Sequence, residues 1–335
     1  MVAAKVVVHG AGSVGCFIGG GWQAAGVDVS FVGRPNFAQD IGEHGLTLSD
    51  SSGWNRHLPT VDYRTDPVAL AEADIIALTV KSAATAEAAG EIAKHCRDGA
   101  LVISFQNGIS NVDVLQRELG GRFQLARGMV QYNVAFLGEG RFHKGVAGHL
   151  YAEDRPETRA LAEQVGDGPA ALKLSDDMLG VAWGKLLINL NNAVAALSGR
   201  TLLDELNQRD YRRVVAASQR EGLRLLQRAG IEPAKVGGVA PSLLPFIIAS
   251  PDWLFRNVFL AKWKIDAKAR SSMNDDLIAG RRTEVDYLNG EFVALAERLG
   301  SDAPINRRIV ELVRKAEGGA RPWSPAALRR AVLNR

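Results

Sequence analysis

This chain of 335 residues is sparing with cysteine, with aromatic side chains and with net charge. Its two cysteines, Cys16 and Cys96, lie far apart, form no C-x-x-C pair and fit no metal-ligand spacing. That excludes a disulfide-stapled scaffold and a thiolate metal centre, and both thiols are expected to be reduced, as in a cytoplasmic protein. The six histidines (His9, His44, His57, His95, His143 and His149) are dispersed, so no metal is expected. Lysine and arginine number 40 against 37 aspartates and glutamates, a formal charge of +3. With so even a balance, basic residues scattered and aromatics at 7%, nothing favours nucleic acid or an anionic membrane as partner. No apolar run is long enough to cross a bilayer, and the N-terminal one is short and broken by His9 and glycines. Neither a membrane span nor a signal peptide is expected. Low-complexity tracts and internal repeats are missing too.

What is present begins at the N-terminus. Lys5-Val6-Val7-Val8-His9 runs straight into Gly10-Ala11-Gly12-Ser13-Val14-Gly15, and a helical stretch from Phe17 to Ala25 follows, closed by Gly26. In a G-x-G-x-x-G turn between strand and helix, the first glycine makes the tight turn and the second lets backbone approach a pyrophosphate. The third lets helix and strand pack closely. The helix N-terminus then offers N–H groups and a partial positive charge to the phosphates. A bare strand–turn–helix junction uses the same residues, but here the flanking strand and helix are both in place. The second strand, Asp28 to Val32, ends at Gly33-Arg34-Pro35 with no carboxylate to take a ribose 2′-hydroxyl. An arginine there suits a 2′-phosphate, so NADP(H) is expected over NAD; a solvated loop arginine is the alternative.

At 47% hydrophobic the chain can bury a sizeable core, and its length suits two domains. Residues 1–175 alternate strands and helices. Asp74 to Val80 and Ala100 to Phe105 are apolar runs of the kind covered on both faces, and Ala83 to Cys96 and Val112 to Leu119 read as helices. Ala126 to Asn133 and Gly145 to Ala152 read as later strands around a Gly138-Glu139-Gly140 turn. The pattern predicts an α/β domain with a doubly wound parallel sheet. Residues 176–335 lose their strands and read as all-helical, with helices over Met178 to Leu197, Asp210 to Ala229, Asp252 to Arg282 and Glu284 to Leu299.

Open parallel sheets bind ligands at the carboxyl ends of their strands. Lys81 and Asn107 stand at two such ends and are candidate ligand contacts. In the helical half, Lys185, Asn189 and Asn192 are spaced i, i+4 and i+7 on one face of an apolar helix. Asparagine is a poor helix former, so this strip is costly unless it has a partner. It reads either as a buried packing network or as a polar strip with one cation as proton donor. Glu284 is a further candidate, with pairing to Arg281 or Arg282 as the plainer alternative.

These segments together resemble the ketopantoate reductase family. The carriers are G-A-G-S-V-G, the T-V-K ending at Lys81, the Q-N-G around Asn107 and the W-x-K-x-x-x-N of Lys185 and Asn189. The fifth is S-M-x-x-D-x-x-x-G-R-x-T-E-x-D-x-L-N-G, ending at Gly290. The resemblance implies a Rossmann-type sheet domain with a helical domain after it, and NADPH-dependent reduction of a 2-keto acid in pantothenate biosynthesis. It implies that Gly10, Ala11, Gly12, Ser13, Val14, Gly15 and Arg34 hold the cofactor, with Lys81 and Asn107 at its nicotinamide end. Lys185 would be the general acid, while Glu284 would act in catalysis and, with Asn107, Asn189, Asn192 and Ser272, bind substrate. Two departures fall near the substrate groups. Ala193 stands where the enterobacterial type has a second asparagine, and Asn274-Asp275 stands where the family often has Leu-Gln. A different 2-keto acid, a catalytically silent NADP sensor and a β-hydroxy acid dehydrogenase are the competing readings, and a homodimer is one open assembly.

Overall fold

Three valines and a histidine, Val6–His9, form strand β1, buried along its whole length. Val6 and Val8 face one apolar core and Val7 the other, so β1 is covered on both sides and needs no polar alternation. Beside it lie β2 (Val29–Val32) and β6 (Ile75–Leu78), with Val6 opposite both Val29 and Ile75 in parallel register. The computed structural model describes residues 4–235, 238–261, 265, 269–319 and 322–334. Two units divide the chain, Met1–Met178 and Leu179–Arg335.

In the first unit, β5 (Asp62–Arg64), β7 (Leu101–Ser104), β8 (Gln124–Val130), β11 (Leu150–Glu153) and β12 (Leu172–Ser175) complete an eight-stranded sheet. Its order is β12-β11-β8-β7-β6-β1-β2-β5. The six strands from β5 to β8 run parallel, and β11 turns antiparallel to β8. A second sheet, which the sequence pattern did not announce, is built from β3 (Leu46–Asp50), β4 (Asn55–Leu58), β9 (Val134–Phe136) and β10 (Arg141–Lys144). The two strands expected over 126–133 and 145–152 are thus four. Gly138, Glu139 and Gly140 do make a turn, each at positive φ, but it joins β9 to β10 in this second sheet. Helix α1 (Ser13–Ala24) lies close on the main sheet because it presents glycine there. A Cβ on Gly19 would stand 2.6 Å from both Val8 and Phe31 side-chain carbons.

Helices α2 (Pro35–His44), α3 (Thr85–His95), α4 (Asn111–Leu119) and α5 (Pro156–Val165) belong to the first unit, and within the described residues the second unit is helical. Its long members are α6 (Met178–Ser198) and the Arg209–Arg228 and Pro304–Glu317 helices. The continuous helix expected over 252–282 is not there. Asp252–Leu254 passes into a π-helical turn, Phe255–Leu260, and a new helix starts at Ser272–Ile278. Ser271 begins it by accepting a hydrogen bond from the Asn274 amide, and Gly280 at φ +64° stops continuation past it. The helix expected from Glu284 starts only at Asn289, after a 3-10 turn over Val285–Tyr287. Among the described residues no single helix is long and apolar enough to cross a membrane, although the bent pair Pro241–Ala249 and Asp252–Leu260 passes that test jointly at a 116° bend.

Candidate active site

The glycine turn between β1 and α1 divides its labour by residue. Gly10 sits at φ +87°, where a Cβ would lie 2.5 Å from the Val80 backbone nitrogen. A Cβ on Gly15 would meet the Thr79 hydroxyl oxygen at 2.5 Å and Val8 at 3.0 Å, so helix and strand approach as only glycine permits. At Gly12 the nearest atom to a Cβ is 3.8 Å away, which leaves open space over the turn. Gly12 is also the N-cap of α1, with no side-chain cap and no acidic residue in the first turn. An uncapped helix start with open space above its second glycine is the cradle a dinucleotide diphosphate needs.

Two side chains hold this turn, one from the T-V-K motif and one that no motif pointed to. Thr79 donates its hydroxyl to the Gly10 carbonyl at 2.9 Å, and Tyr63 on β5 donates to the Ala11 carbonyl at 2.6 Å. Tyr63 is itself stacked on Phe31, 6.1 Å between centroids. Ala11 is buried, and Ser13 and Val14 are half-buried at the mouth of the helix. Gly33 packs here too, since its Cβ would fall 2.9 Å from the Ala11 carbonyl oxygen. Arg34, the next residue, is exposed and is the N-cap of the Pro35–His44 helix, its guanidinium 5.2 Å from the Phe37 ring centre. Asp28, at the start of the β2 segment, pairs with Lys5 at 2.6 Å. His9, just before the turn, is buried, and burial pushes its pKa down to about 4, so it is neutral at physiological pH.

At the carboxyl ends of β6 and β7 stand Lys81, exposed, and Asn107, half-buried. A buried polar network fixes the Asn107 loop. The Asn107 carbonyl accepts from the Ser82 hydroxyl at 2.9 Å and from the Asn111 side-chain amide. Thr85 donates to Asn111 at 2.8 Å, Gln106 donates to Thr85 at 2.8 Å, and Ser104 donates to Gln106 at 2.9 Å. Every member is hydrogen-bonded, the condition under which a buried network rigidifies its surroundings.

In the helical unit, Lys185 is half-buried on α6. Burial lowers its pKa to about 8, and the Glu284 carboxylate opposes that shift. The structure therefore brings these two candidates into electrostatic contact, although they lie 99 positions apart in the chain. Arg281, the plainer partner considered for Glu284, pairs with Asp276 at 2.9 Å. The residues flanking Glu284 are tied to the Pro304–Glu317 helix. Thr283 donates its amide and its hydroxyl to Glu317 at 2.8 and 2.7 Å, and Asp286 accepts from Arg314 at 2.7 Å. Gly184 beside the lysine is needed because a Cβ there would overlap the Ala234 carbonyl. Asn189 and Asn192 are half-buried on the same helix, and Ser272 is exposed at the start of the Ser272–Ile278 helix. Asn191 turns elsewhere and donates at 3.3 Å to the fully buried Glu205, whose carboxyl pKa burial raises to about 8. Among the described residues no group of three or more His, Cys, Asp or Glu is arranged to hold a metal.

A glycine-cradled parallel sheet, and a helical unit carrying a lysine of lowered pKa beside a carboxylate, define the class: a nicotinamide-dependent oxidoreductase. The family model described as Ketopantoate reductase PanE/ApbA matches residues 6–157, and that described as Ketopantoate reductase PanE/ApbA C terminal matches residues 177–317. The chain belongs to the ketopantoate reductase family. It is similar to a 2-dehydropantoate 2-reductase of Archaeoglobus fulgidus, 29% identical over 94% of this chain and 98% of that one. A second relative of that name, from Halobacterium salinarum, is 28% identical over 93% and 99%. Among solved structures, a PanE/ApbA family ketopantoate reductase from Ralstonia eutropha superposes at TM-score 0.79 and 28% identity, covering 94% of this chain and 99% of that one.

Proposed function

We propose that the protein reduces a 2-keto acid to a 2-hydroxy acid with NADPH, and that ketopantoate, giving pantoate, is its first substrate. Residues 1–175 serve the cofactor and residues 176–335 the substrate, in the cytoplasm. The observation that carries the reading is the half-buried Lys185 with its pKa lowered to about 8 beside Glu284. Gly10, Ala11, Gly12, Ser13, Val14 and Gly15 hold the diphosphate, Arg34 takes the 2′-phosphate, and Lys81 and Asn107 bound the nicotinamide end. A bound nicotinamide supplies hydride to the keto carbon.

The protein's own work is to handle the charge that this leaves on the carbonyl oxygen. The Lys185 ammonium stabilises that charge and then gives up its proton, which a lysine of lowered pKa does more readily than an exposed one. Glu284 orients the ammonium and accepts from the product hydroxyl. Asn107, Asn189, Asn192 and Ser272 bind the substrate's hydroxyl and carboxylate. Replacing one positioned acid costs about 10²–10⁴-fold in turnover. Lys185→Ala should therefore lower kcat by about that factor while NADPH still binds; turnover near that of the unaltered protein removes Lys185 from the role.

A second reading keeps chemistry and cofactor but changes the acid to a larger or differently branched one. It is favoured by α6 itself, where Ala193 is fully buried and the Asn191 amide is spent on Glu205.

A further inference from the structure

The departure at Asn274, from the family's usual leucine, falls where the substrate groups lie, yet its side chain does not reach for a ligand. Asn274 is 1% exposed and donates its amide to the Arg200 carbonyl at 2.9 Å, just past the end of α6. Its backbone N–H donates to the Ser271 hydroxyl at 3.2 Å, and that hydroxyl donates in turn to the Asn192 carbonyl at 3.2 Å. Ser271 is buried as well, at 4% exposure. Two residues before Ser271, the Ala269 carbonyl accepts from the Leu202 amide at 2.8 Å. The segment 269–274 is thus sewn at three places to 192–202. Ser272 lies between the two stitching side chains and is exposed, while Met273 beside it is buried.

We propose that Ser271 and Asn274 are positioning residues that clamp the start of the Ser272–Ile278 helix onto the last turns of α6, and so set the distance between Ser272 and the Asn189/Asn192 strip. Neither touches substrate. The clamp acts on how well the 2-keto acid is held, and not on the proton that Lys185 delivers. Both bonds of Asn274 end on backbone or on Ser271, so an apolar side chain there leaves the Arg200 carbonyl without its buried donor. This inference rests on the functional reading above, because it assigns a consequence to the placement of a substrate-binding serine.

The test is steady-state kinetics with NADPH and ketopantoate on the full chain, with NADPH affinity and melting temperature measured alongside. Ser271→Ala and Asn274→Ala are each expected to raise KM for the keto acid about five- to tenfold, the size of one neutral hydrogen bond. kcat should stay within about twofold, and NADPH affinity should not move. Ser271→Thr, which keeps a capping hydroxyl, should return KM to within about twofold of the unaltered enzyme. An unchanged KM in both alanine variants overturns the proposal, as does a fall in kcat and melting temperature with KM unmoved. If Ser271→Ala does not fold, Asn274→Ser is held to the same expectation and the same contradiction. An unaltered protein that binds NADPH but reduces no 2-keto acid sinks the functional reading and the clamp with it. An active one with unmoved KM in the variants sinks the clamp alone.

Discussion

Lys185 is where burial and charge act in opposite directions on one atom. Desolvation disfavours the ammonium and Glu284 favours it, and desolvation wins, which leaves a pKa of about 8 against an ordinary 10.5. The lysine is therefore mostly protonated at neutral pH and loses its proton within reach of working conditions. If it is the acid, kcat/KM for keto acid reduction should be flat below pH 8 and fall about tenfold per pH unit above it. Lys185→Arg, which stays protonated there, should remove that limb from whatever activity remains. A profile flat to pH 10 contradicts the assignment. The sign for stability is the reverse of that for activity. Between about pH 8 and 10.5 the unfolded chain keeps a proton on this lysine that the folded chain has lost, so this group's contribution to stability rises with pH in that window. Lys185 and Glu284 were both legible in the sequence as candidates, one from its asparagine-rich helix and one from its motif. The sequence also allows Glu284 to orient Lys185, and the fold brings these two distant residues into electrostatic contact. Tyr63 was missed because it holds the turn by a single hydroxyl from β5, which leaves no local pattern; Thr79 stands in the T-V-K motif, but its bond to the turn is made only by the fold.

At the scale of elements, the turn into α1 shows why three glycines in one motif are not equivalent. Gly15→Ala would press a methyl against Thr79 and Val8, and overpacking of this kind costs about 1–3 kcal/mol. Gly12→Ala would meet nothing closer than 3.8 Å in the protein itself. The expected outcome is a lowered melting temperature for Gly15→Ala. For Gly12→Ala a nearly unchanged melting temperature is expected, with weakened NADPH binding, as read by calorimetric melting and by titration. Equal effects of both substitutions on stability would mean that the open space at Gly12 is not reserved for a ligand. Strand β1, α1 and α6 were legible because their apolar pattern is continuous and bounded by glycine or by polar turns. The stretch from Asp252 to Arg282 was misread as one helix. Its residues are helix-compatible locally, while the break is made by a serine cap and by Gly280, whose φ of +64° carries no signal beyond the glycine itself.

For the whole molecule, the sequence made plain an alternating α/β half and a helical half, and the parallel run of strands follows from that alternation. The four-stranded second sheet was not legible. Its β10 pairs in parallel with β3, with Arg141 opposite Thr47, and such long-range pairing leaves no mark in either segment alone. It is held by aromatic contacts that are equally non-local, with Phe37 5.0 Å from Phe136 and 5.8 Å from Phe142 between ring centres. The family and the glycine cradle specify the cofactor's class; the proposal of NADPH over NADH rests on Arg34 and on the lack of an acid at the end of β2. The most direct test mixes purified protein with ketopantoate and follows the loss of reduced-nicotinamide absorbance, with NADPH and NADH in parallel. Fast oxidation of NADPH with much slower oxidation of NADH is the predicted result. No oxidation of either cofactor by ketopantoate or by any of a panel of 2-keto acids, despite tight NADPH binding, would contradict it.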